Sequence, residues 1–226
     1  MEKEYNKNLF IRAITALAIA IPIILIILIE NFWLFSVTIS MICFIGYYDW
    51  IKNKFRHPFL WGFNLIFGYF WLLIILMSGD FIFKEASEMQ EESSLSFYYI
   101  FLLSLFNTAI FDTSAYITGS NIGKNSIAPN ISPNKTWEGL VGGLIGSIIF
   151  SSIIINLFDL SLWLISVYLL GSILAFAGDL FISFHKREKN IKDTGTLLPG
   201  HGGVLDRLDS HLLATPITII LTILLA

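Results

Sequence analysis

The segment "LLPGHGGVLDRLDS", residues 197–210, concentrates groups that could bind a phosphate compound. Its Pro-Gly pair marks a turn, and glycine backbones can take positive φ angles and approach a ligand closely. Successive N–H groups in such a turn can form an anion-binding nest. Carboxylate oxygens suit Mg²⁺, and arginine suits phosphate oxygens. The residues expected to contribute are Gly200, His201, Gly202, Gly203, Asp206 and Arg207.

A second carboxylate, Asp179, lies near the end of a long apolar stretch. Ser183, Lys186 and Arg187 follow it at i+4, i+7 and i+8, so all four share one face of a helix. An acid at membrane depth is costly unless it meets a cation or a water-filled cavity. We expect the glycine loop to return Asp206 beside Asp179 and so build a metal site for a nucleoside triphosphate. The alternative is that Asp179 only pairs with Lys186 or Arg187.

An upstream polar segment, residues 112–139, is expected to form a second loop. Asp112 and Tyr116 lie four residues apart on the preceding helix, and Lys124 and Lys135 are available for anionic ligands. The stretch "GSNIGKNS" is not a P-loop, because it has three residues between its glycines and no Ser or Thr after the lysine. Further along, "SPNKTWEG" predicts a turn at Ser132-Pro133 and a helix capped by Thr136.

Several of these residues have simpler interpretations. Asp209 precedes an apolar run, so it could cap a helix rather than bind metal. His201 could be a general base, a phosphate ligand, or only a hydrogen-bonding partner within its turn. The basic cluster Lys186, Arg187, Lys189 and Lys192 could mark a cytosolic loop or contact anionic headgroups. The glycines of residues 139–146 are spaced for close helix packing.

The elements that position these residues are membrane helices. The chain of 226 residues is 55% hydrophobic and 14% charged, and its mean hydropathy is +0.73, which is far more apolar than a soluble domain. Its one cysteine, Cys43, lies in an apolar run and is expected to be a packing residue. The composition predicts an all-α, polytopic membrane protein with about seven spans. The spans are residues 9–29, 32–51, 59–77, 97–117, 137–158, 161–183 and 211–226.

Orientation follows from the lysine and arginine residues, because short loops rich in them stay in the cytosol. With the N-terminus inside, thirteen of the 14 basic residues fall on the cytosolic face, and only Lys84, in an acidic loop, falls outside. The first span exceeds the apolar core of a signal peptide and is expected to be a retained anchor. Both polar loops then face the cytosol.

The residues Ser183 to Asp209, "SFHKREKNIKDTGTLLPGHGGVLDRLD", resemble the signature of the phosphatidate cytidylyltransferases, or CDP-diacylglycerol synthases. The stretches "DTSAYITGSNIGK" and "SPNKTWEGLVGG" resemble the same family's upstream block. This resemblance implies a multi-pass enzyme of the cell membrane that transfers CMP from CTP to phosphatidic acid with Mg²⁺, giving CDP-diacylglycerol and pyrophosphate. By this resemblance the chain divides into N-terminal helices that match the family weakly, residues 1–96, and a catalytic region, residues 97–226.

The resemblance also implies roles for particular residues. The family's metal-binding aspartates fall on Asp179 and Asp206, and an expected early glutamate before an aromatic is replaced by Asp49 before Trp50. Catalytic roles fall on Asp179, Asp206, Lys192 and Arg207. The resemblance places substrate-binding roles on Lys124, Lys135, Lys186 and Arg187, and the residue types and spacing add Asp112, Tyr116, Ser183, Gly200, His201, Gly202 and Gly203.

Rival functions make different demands on the sequence. A CDP-alcohol phosphotransferase would require a D-G-x-x-A-R block, which the chain lacks. A CTP-dependent lipid kinase would release CDP, and a transporter would favour related halves with broken helices. We expect CTP, phosphatidic acid and the bilayer as partners, and no nucleic acid. A second cation, a homodimer, and the choice between CTP and dCTP are left open.

Overall fold

A computed structural model describes residues 2–68, 70–72 and 96–225, and most of these residues lie in α-helices. The elements are, in chain order, α1 (Glu2–Leu28), α2 (Phe32–Lys52), a π-helix (Pro58–Phe63) that runs into α3 (Asn64–Ile66), α4 (Phe97–Ile122), β1 (Ser126–Ala128), β2 (Ser132–Thr136), α5 (Trp137–Phe158), α6 (Leu164–Glu188), α7 (Leu205–Leu208) and α8 (His211–Leu225).

The helices have the length and composition of a membrane protein. Four of those described, α2, α4, α5 and α6, are long and apolar enough to cross a bilayer, and Ile14–Leu28 and α8 are shorter apolar helices. The later part of the predicted third span, 73–77, and the acidic loop around Lys84 lie outside the described residues. The protein is therefore largely helical and of membrane type, while the count of seven spans and the orientation stay predictions.

The upstream polar segment is not a simple loop. Helix α4 continues to Ile122, and the strands β1 and β2 then form an antiparallel hairpin in which Ser126 pairs with Thr136 and Ala128 with Ser132. The all-α prediction missed this two-stranded sheet. The predicted turn at Ser132-Pro133 was also wrong, because the turn lies at residues 129–131 and Ser132 begins β2. Proline lacks an N–H donor but is tolerated in an edge strand, and each strand of a two-stranded sheet is an edge.

The chain divides into two compact units. The first contains the residues up to Tyr99 together with Asp193–Asp206, and the second contains Ile100–Lys192 together with Arg207–Ala226. The glycine loop thus belongs with the N-terminal helices, although it lies late in the sequence. The predicted functional division into 1–96 and 97–226 stays a prediction.

Within the first unit, α2 begins where the Asn31 side chain accepts a hydrogen bond from the Leu34 backbone N–H, at 3.0 Å. Cys43 is buried, and its Sγ lies 3.1 Å from the carbonyl oxygen of Ile66. The prediction that Cys43 is a packing residue is therefore confirmed. At the other end of α2, the buried Trp50 ring occupies the space that a Cβ would need at Gly62.

Within the second unit, the glycines of α5 face α4. A Cβ at Gly143 would fall 2.6 Å from the Phe111 ring, and one at Gly139 would fall 2.9 Å from the carbonyl oxygen of Ala115. Glycine lets two helix backbones approach this closely. The close packing predicted from the glycine spacing is confirmed.

A polar network joins α4, α5 and α6 at buried positions. The Asn107 amide nitrogen donates to the Tyr168 carbonyl at 3.0 Å and to the Ser172 hydroxyl at 3.2 Å. The Ser147 hydroxyl donates to the Asn107 side-chain oxygen at 2.6 Å. Polar groups buried in a membrane protein bond across helices because lipid offers them no partner. This network therefore holds α4, α5 and α6 together within the second unit.

Candidate active site

The second unit carries a cluster of charged side chains around Asp179. Lys135 of β2 forms an ion pair with Asp179 of α6, with Nζ 2.5 Å from Oδ2, and its ammonium also lies 4.8 Å from the centre of the Phe176 ring. One turn further along α6, the Ser183 hydroxyl donates to Asp179 Oδ1 at 3.1 Å. The helical face predicted for these α6 residues is confirmed, and the hairpin adds Lys135, a partner that the spacing within α6 did not indicate.

Asp209 belongs to the same cluster. The Lys186 ammonium lies 3.9 Å from Asp209 Oδ2, and the two side chains are only 10% and 14% exposed. Burial and, second to it, the charge of Asp179 raise the pKa of Asp209 to about 7, against the opposing effects of Lys186 and Arg207. Asp209 is thus close enough to Asp179 for the two carboxylates to interact electrostatically.

The structure also decides how Asp209 relates to the last helix. Helix α8 begins at His211, so Ser210 occupies the position directly before it. The Asp209 carboxylate accepts a hydrogen bond from the adjacent Ser210 N–H, at 3.0 Å. Asp209 therefore stands one residue outside the position expected of a cap, and it lies among charged side chains.

Asp112 of α4 supplies a third carboxylate. Its carboxyl group is hydrogen-bonded by the Ser210 side chain, and it feels the charges of Asp179, Lys135 and Arg207. Tyr116, one turn later, is 75% exposed, unlike Asp112. Three acids from α4, α6 and the segment before α8 are therefore gathered with lysines in one unit.

Two side chains hold the backbone around this cluster. The Glu138 carboxylate accepts hydrogen bonds from the backbone N–H groups of Lys124 and Asn125, at 3.2 Å and 3.3 Å. The Arg187 guanidinium donates to the carbonyl oxygens of Ile131 and Ile191, both at 3.0 Å. Arg187, predicted to bind substrate, therefore joins the hairpin turn to the segment that follows α6.

Other predicted residues lie at the surface. The side chains of Lys124, Lys192 and Arg207 are exposed, so they can reach an anionic ligand without desolvation.

Thr136 does cap α5, because its hydroxyl accepts the Gly139 N–H at 3.1 Å, as predicted. The local prediction for this helix start is confirmed.

The glycine loop of the first unit forms the predicted turn. Gly200 and Gly202 have φ angles of +72° and +81°, which glycine adopts without strain. The Leu198 N–H donates to the Gly202 carbonyl at 2.9 Å, and the His201 N–H donates to the Leu198 carbonyl at 2.9 Å. The His201 ring nitrogen Nδ1 lies 3.5 Å from the Pro199 carbonyl oxygen. The geometry is that of a closed turn whose histidine contacts its own backbone.

Asp206 is buried within this loop and holds its two sides together. Its Oδ2 accepts hydrogen bonds from the Thr194 N–H at 2.7 Å, the Thr194 hydroxyl at 3.0 Å and the Gly203 N–H at 2.9 Å. The side chain is 4% exposed. One carboxylate oxygen therefore has an established role in folding the loop, whatever else Asp206 binds.

The end of α2 contacts the glycine loop, a contact that the sequence did not predict. Asp49 Oδ2 accepts a hydrogen bond from the Leu205 N–H at 3.2 Å, and the Asn53 side chain donates to the Thr194 carbonyl at 2.7 Å. The only signal was the family-like acid before an aromatic. Nothing in the local sequence connects residue 49 with residue 205.

The predicted pairing of Asp179 with Asp206 joins residues of different units and stays a prediction. Among the residues that the structure describes, no group of three or more His, Cys, Asp and Glu side chains is arranged to hold a metal ion. Mg²⁺, however, is commonly bound by one or two carboxylates plus substrate phosphates. The oxygen donors of Asp179 and Asp209 fit that requirement chemically.

Helices of membrane length, together with a cluster of acids and lysines that are largely shielded from solvent beside exposed basic residues, define a membrane protein with a charged polar site. The comparison with known families is consistent with this class. A model of the cytidylyltransferase family matches residues 62–225, and the chain belongs to that family.

Relatives named phosphatidate cytidylyltransferase match parts of the chain. The one from Staphylococcus haemolyticus is 47% identical over 115 residues, which are 50% of this chain and 44% of that protein. The one from Staphylococcus saprophyticus is 40% identical over 151 residues, 66% of this chain and 58% of the relative. A Haemophilus influenzae relative is 42% identical over 112 residues, 46% of this chain and 39% of the relative. The chain thus spans about half the length of these relatives.

Proposed function

We propose that this protein transfers CMP from CTP to phosphatidic acid, forming CDP-diacylglycerol and pyrophosphate. The observation that carries the proposal is the family match over residues 62–225, which include the Asp179 cluster and the glycine loop. The relatives that share 40% to 47% identity are named for this activity. A membrane protein with basic residues at its polar surface suits one lipid substrate and one soluble nucleotide.

In the proposed reaction, a phosphate oxygen of phosphatidic acid attacks the α-phosphorus of CTP. One P–O bond forms, the bond to the bridging oxygen of the β-phosphate breaks, and that electron pair leaves with pyrophosphate. Such a transfer needs positioning and charge neutralisation more than a protein nucleophile. The Ser183 hydroxyl donates to Asp179 Oδ1, a carboxylate that is paired with Lys135 and proposed to bind the metal, so we assign Ser183 a binding role rather than that of a nucleophile.

Charge neutralisation is the main task of the proposed site. Mg²⁺, when bound with CTP, would neutralise phosphate charge, and its ligands are proposed to be Asp179 and Asp206. The electrostatic interaction of Asp209 with Asp179 adds Asp209 to the candidate ligands. Lys135 is paired with Asp179 and Lys186 with Asp209, and the exposed Lys192 and Arg207 are proposed to bind phosphate oxygens.

We also propose that the protein lies in the cell membrane with its N-terminus, the β-hairpin and the glycine loop on the cytosolic face. The distribution of lysine and arginine supports this orientation. CTP is water-soluble and the lipid phosphate lies at the membrane surface, so the reaction requires its polar residues on a single face.

The test is incubation of the purified protein, in lipid nanodiscs, with α-phosphate-labelled CTP, phosphatidic acid and MgCl₂. The proposed activity predicts a labelled CDP-lipid and one pyrophosphate for each lipid formed. Omission of phosphatidic acid or addition of EDTA should abolish both products. Release of CDP with an unlabelled lipid would instead identify a CTP-dependent lipid kinase and refute the proposal.

A further inference from the structure

The end of α2 holds both ends of the glycine loop, which we define as residues 193–206. The Asn53 amide donates to the Thr194 carbonyl at one end of the loop, at 2.7 Å. The Asp49 carboxylate accepts the Leu205 N–H at the other end, at 3.2 Å. Asn53 is itself fixed on the helix, since the same amide lies 2.7 Å from the Asp49 carbonyl oxygen. One helical turn therefore bonds to two points of the loop, eleven residues apart.

The Asp49 carboxylate lies directly against the loop backbone. A Cβ at Gly203 would fall 2.6 Å from Asp49 Oδ2, and one at Gly195 would fall 3.4 Å from Asp49 Oδ1. Asp49 is 6% exposed. Gly203 thus leaves the space that the carboxylate occupies, whereas a Cβ at Gly195 would be in ordinary contact with it.

The same loop residues that meet α2 also bind Asp206. Thr194, which receives the Asn53 bond through its carbonyl, donates both its N–H and its hydroxyl to Asp206 Oδ2. Gly203, which lies beside Asp49, donates its N–H to the same oxygen. Any displacement of Thr194 or Gly203 must therefore move the Asp206 carboxylate.

Burying an aspartate at residue 49 costs free energy that an apolar side chain of the same size would not cost. A buried carboxylate requires hydrogen-bond donors, and the negative charge of Asp206 in the same unit opposes that of Asp49. The backbone N–H groups of Val204 and Leu205 compensate for the charge. A carboxylate can accept hydrogen bonds from two successive N–H groups and so fix their position, which an apolar side chain cannot do.

We propose that Asp49 and Asn53 are positioning residues, which hold the glycine loop so that Asp206 is presented in one orientation. The catalytic part of this inference rests on the proposed CMP transfer, whereas the structural part does not. Misplacement of a reacting group by about 1 Å can cost on the order of 100-fold in rate. We call the two contacts from Asp49 and Asn53 to the loop the clamp. Loss of this clamp should therefore act mainly on kcat.

The first measurement is hydrogen exchange of the intact protein in nanodiscs without nucleotide or Mg²⁺, followed in peptides that cover residues 193–206. Asp49→Ala should accelerate exchange of the loop amides about 10-fold or more, because the bond to Leu205 is lost. Asn53→Asp, which replaces the amide donor by a carboxylate that repels the Thr194 carbonyl, should do the same at Thr194. Asn31→Ala is the matched control, because Asn31 caps the opposite end of α2 and should leave the loop unchanged.

The second measurement is the rate of CDP-lipid formation. Asp49→Ala should lower kcat on the order of 10- to 100-fold with little change in KM for phosphatidic acid. Asp49→Asn keeps an oxygen that can accept the Leu205 N–H, so it should recover part of both the exchange protection and the rate. If Asp49→Asn is as inactive as Asp49→Ala while the loop stays protected, Asp49 acts as a ligand and the proposal is overturned.

The two measurements separate the clamp from the enzyme activity. Unchanged loop exchange in both Asp49→Ala and Asn53→Asp would overturn the clamp even if the wild-type protein makes CDP-lipid. A wild-type protein that makes no CDP-lipid would refute the proposed function, and the exchange result would still decide the clamp. If Asp49→Ala does not insert, Asn53→Asp provides the same test with a side chain of nearly equal size.

Discussion

Replacement of Asp179 by asparagine is the most direct test of the charged cluster. The change keeps the size of the side chain and its Oδ1, so the hydrogen bond from Ser183 can persist. It removes the negative charge of Oδ2, which pairs with Lys135. The helix should therefore stay intact while the cluster loses one anion.

The expected cost in stability is small. The two side chains are 18% and 27% exposed, so their ion pair is partly solvated, and pairs of this kind contribute roughly 0.2–1 kcal/mol. The loss is also offset, because Asp179 repels Asp209 and Asp112. We expect the free energy of unfolding to fall by about 1 kcal/mol or less.

The expected cost in activity is much larger. If Asp179 binds the metal, its loss removes charge stabilisation at the transferring phosphate, and kcat should fall on the order of 10³-fold, or about 4 kcal/mol. The assay is the initial rate of CDP-lipid formation, read beside thermal unfolding of the same preparation. Asp159→Asn is the matched control, because Asp159 ends α5 with a φ of +52°, which asparagine also adopts readily.

A folded Asp179→Asn protein that keeps its turnover within about 3-fold of wild type would refute this reasoning, because that difference corresponds to less than about 1 kcal/mol. Asp206→Asn is also expected to be inactive, but it is the weaker test. Asp206 Oδ2 accepts three hydrogen bonds within the loop, so the variant changes the fold of the loop as well as its charge.

Four further outcomes are expected. In EDTA, raising the pH from about 4 to about 7 should destabilise the wild-type protein relative to Asp209→Asn. The reason is that the pKa of Asp209 is raised in the folded protein, which therefore retains a proton that the unfolded chain releases. Equal melting curves for the two proteins across this pH range would contradict the raised pKa of Asp209. Arg187→Lys should lower activity despite its conserved charge, since a lysine cannot reach both backbone carbonyls, and faster hydrogen exchange at residues 129–131 should accompany the loss. Asn107→Leu should lower the free energy of unfolding by about 2 kcal/mol, measured by denaturation in detergent, from three interhelical bonds at roughly 0.6 kcal/mol each. Cysteines introduced at Asn125 and Asn190 should be labelled only from the cytosolic side, and labelling from opposite faces would exclude a single site.

Predictions that depended on neighbouring residues held in the structure. Ser183 lies one turn from Asp179, Thr136 caps α5, and Gly200 and Gly202 take positive φ angles. Each of these features is set within about four residues of sequence, by helical periodicity, by an N-cap hydroxyl or by a Pro-Gly turn. The length of an apolar run likewise indicated helices of membrane length.

Predictions about strand pairing, contacts between distant residues and helix boundaries were less successful. The hairpin was missed because β1 has only three residues, and its short polar strands show no apolar alternation. Lys135 was expected to bind an anionic ligand, but its placement against Asp179 requires the hairpin. Asp209, for which a helix cap was one of two alternatives, lies one residue before the cap position of α8, a typical difference at helix ends.

The sequence by itself determined the solvent and the chemistry of this protein. Its apolar composition indicates a bilayer, and its acids, lysines and glycines predict a site for phosphate and metal, because these properties belong to the residues wherever they lie. Tertiary structure alone decided which groups meet. Asp179 faces Lys135, and Leu205 meets Asp49 from a distance of 156 residues along the chain, because a buried charge must find its partner wherever folding brings one.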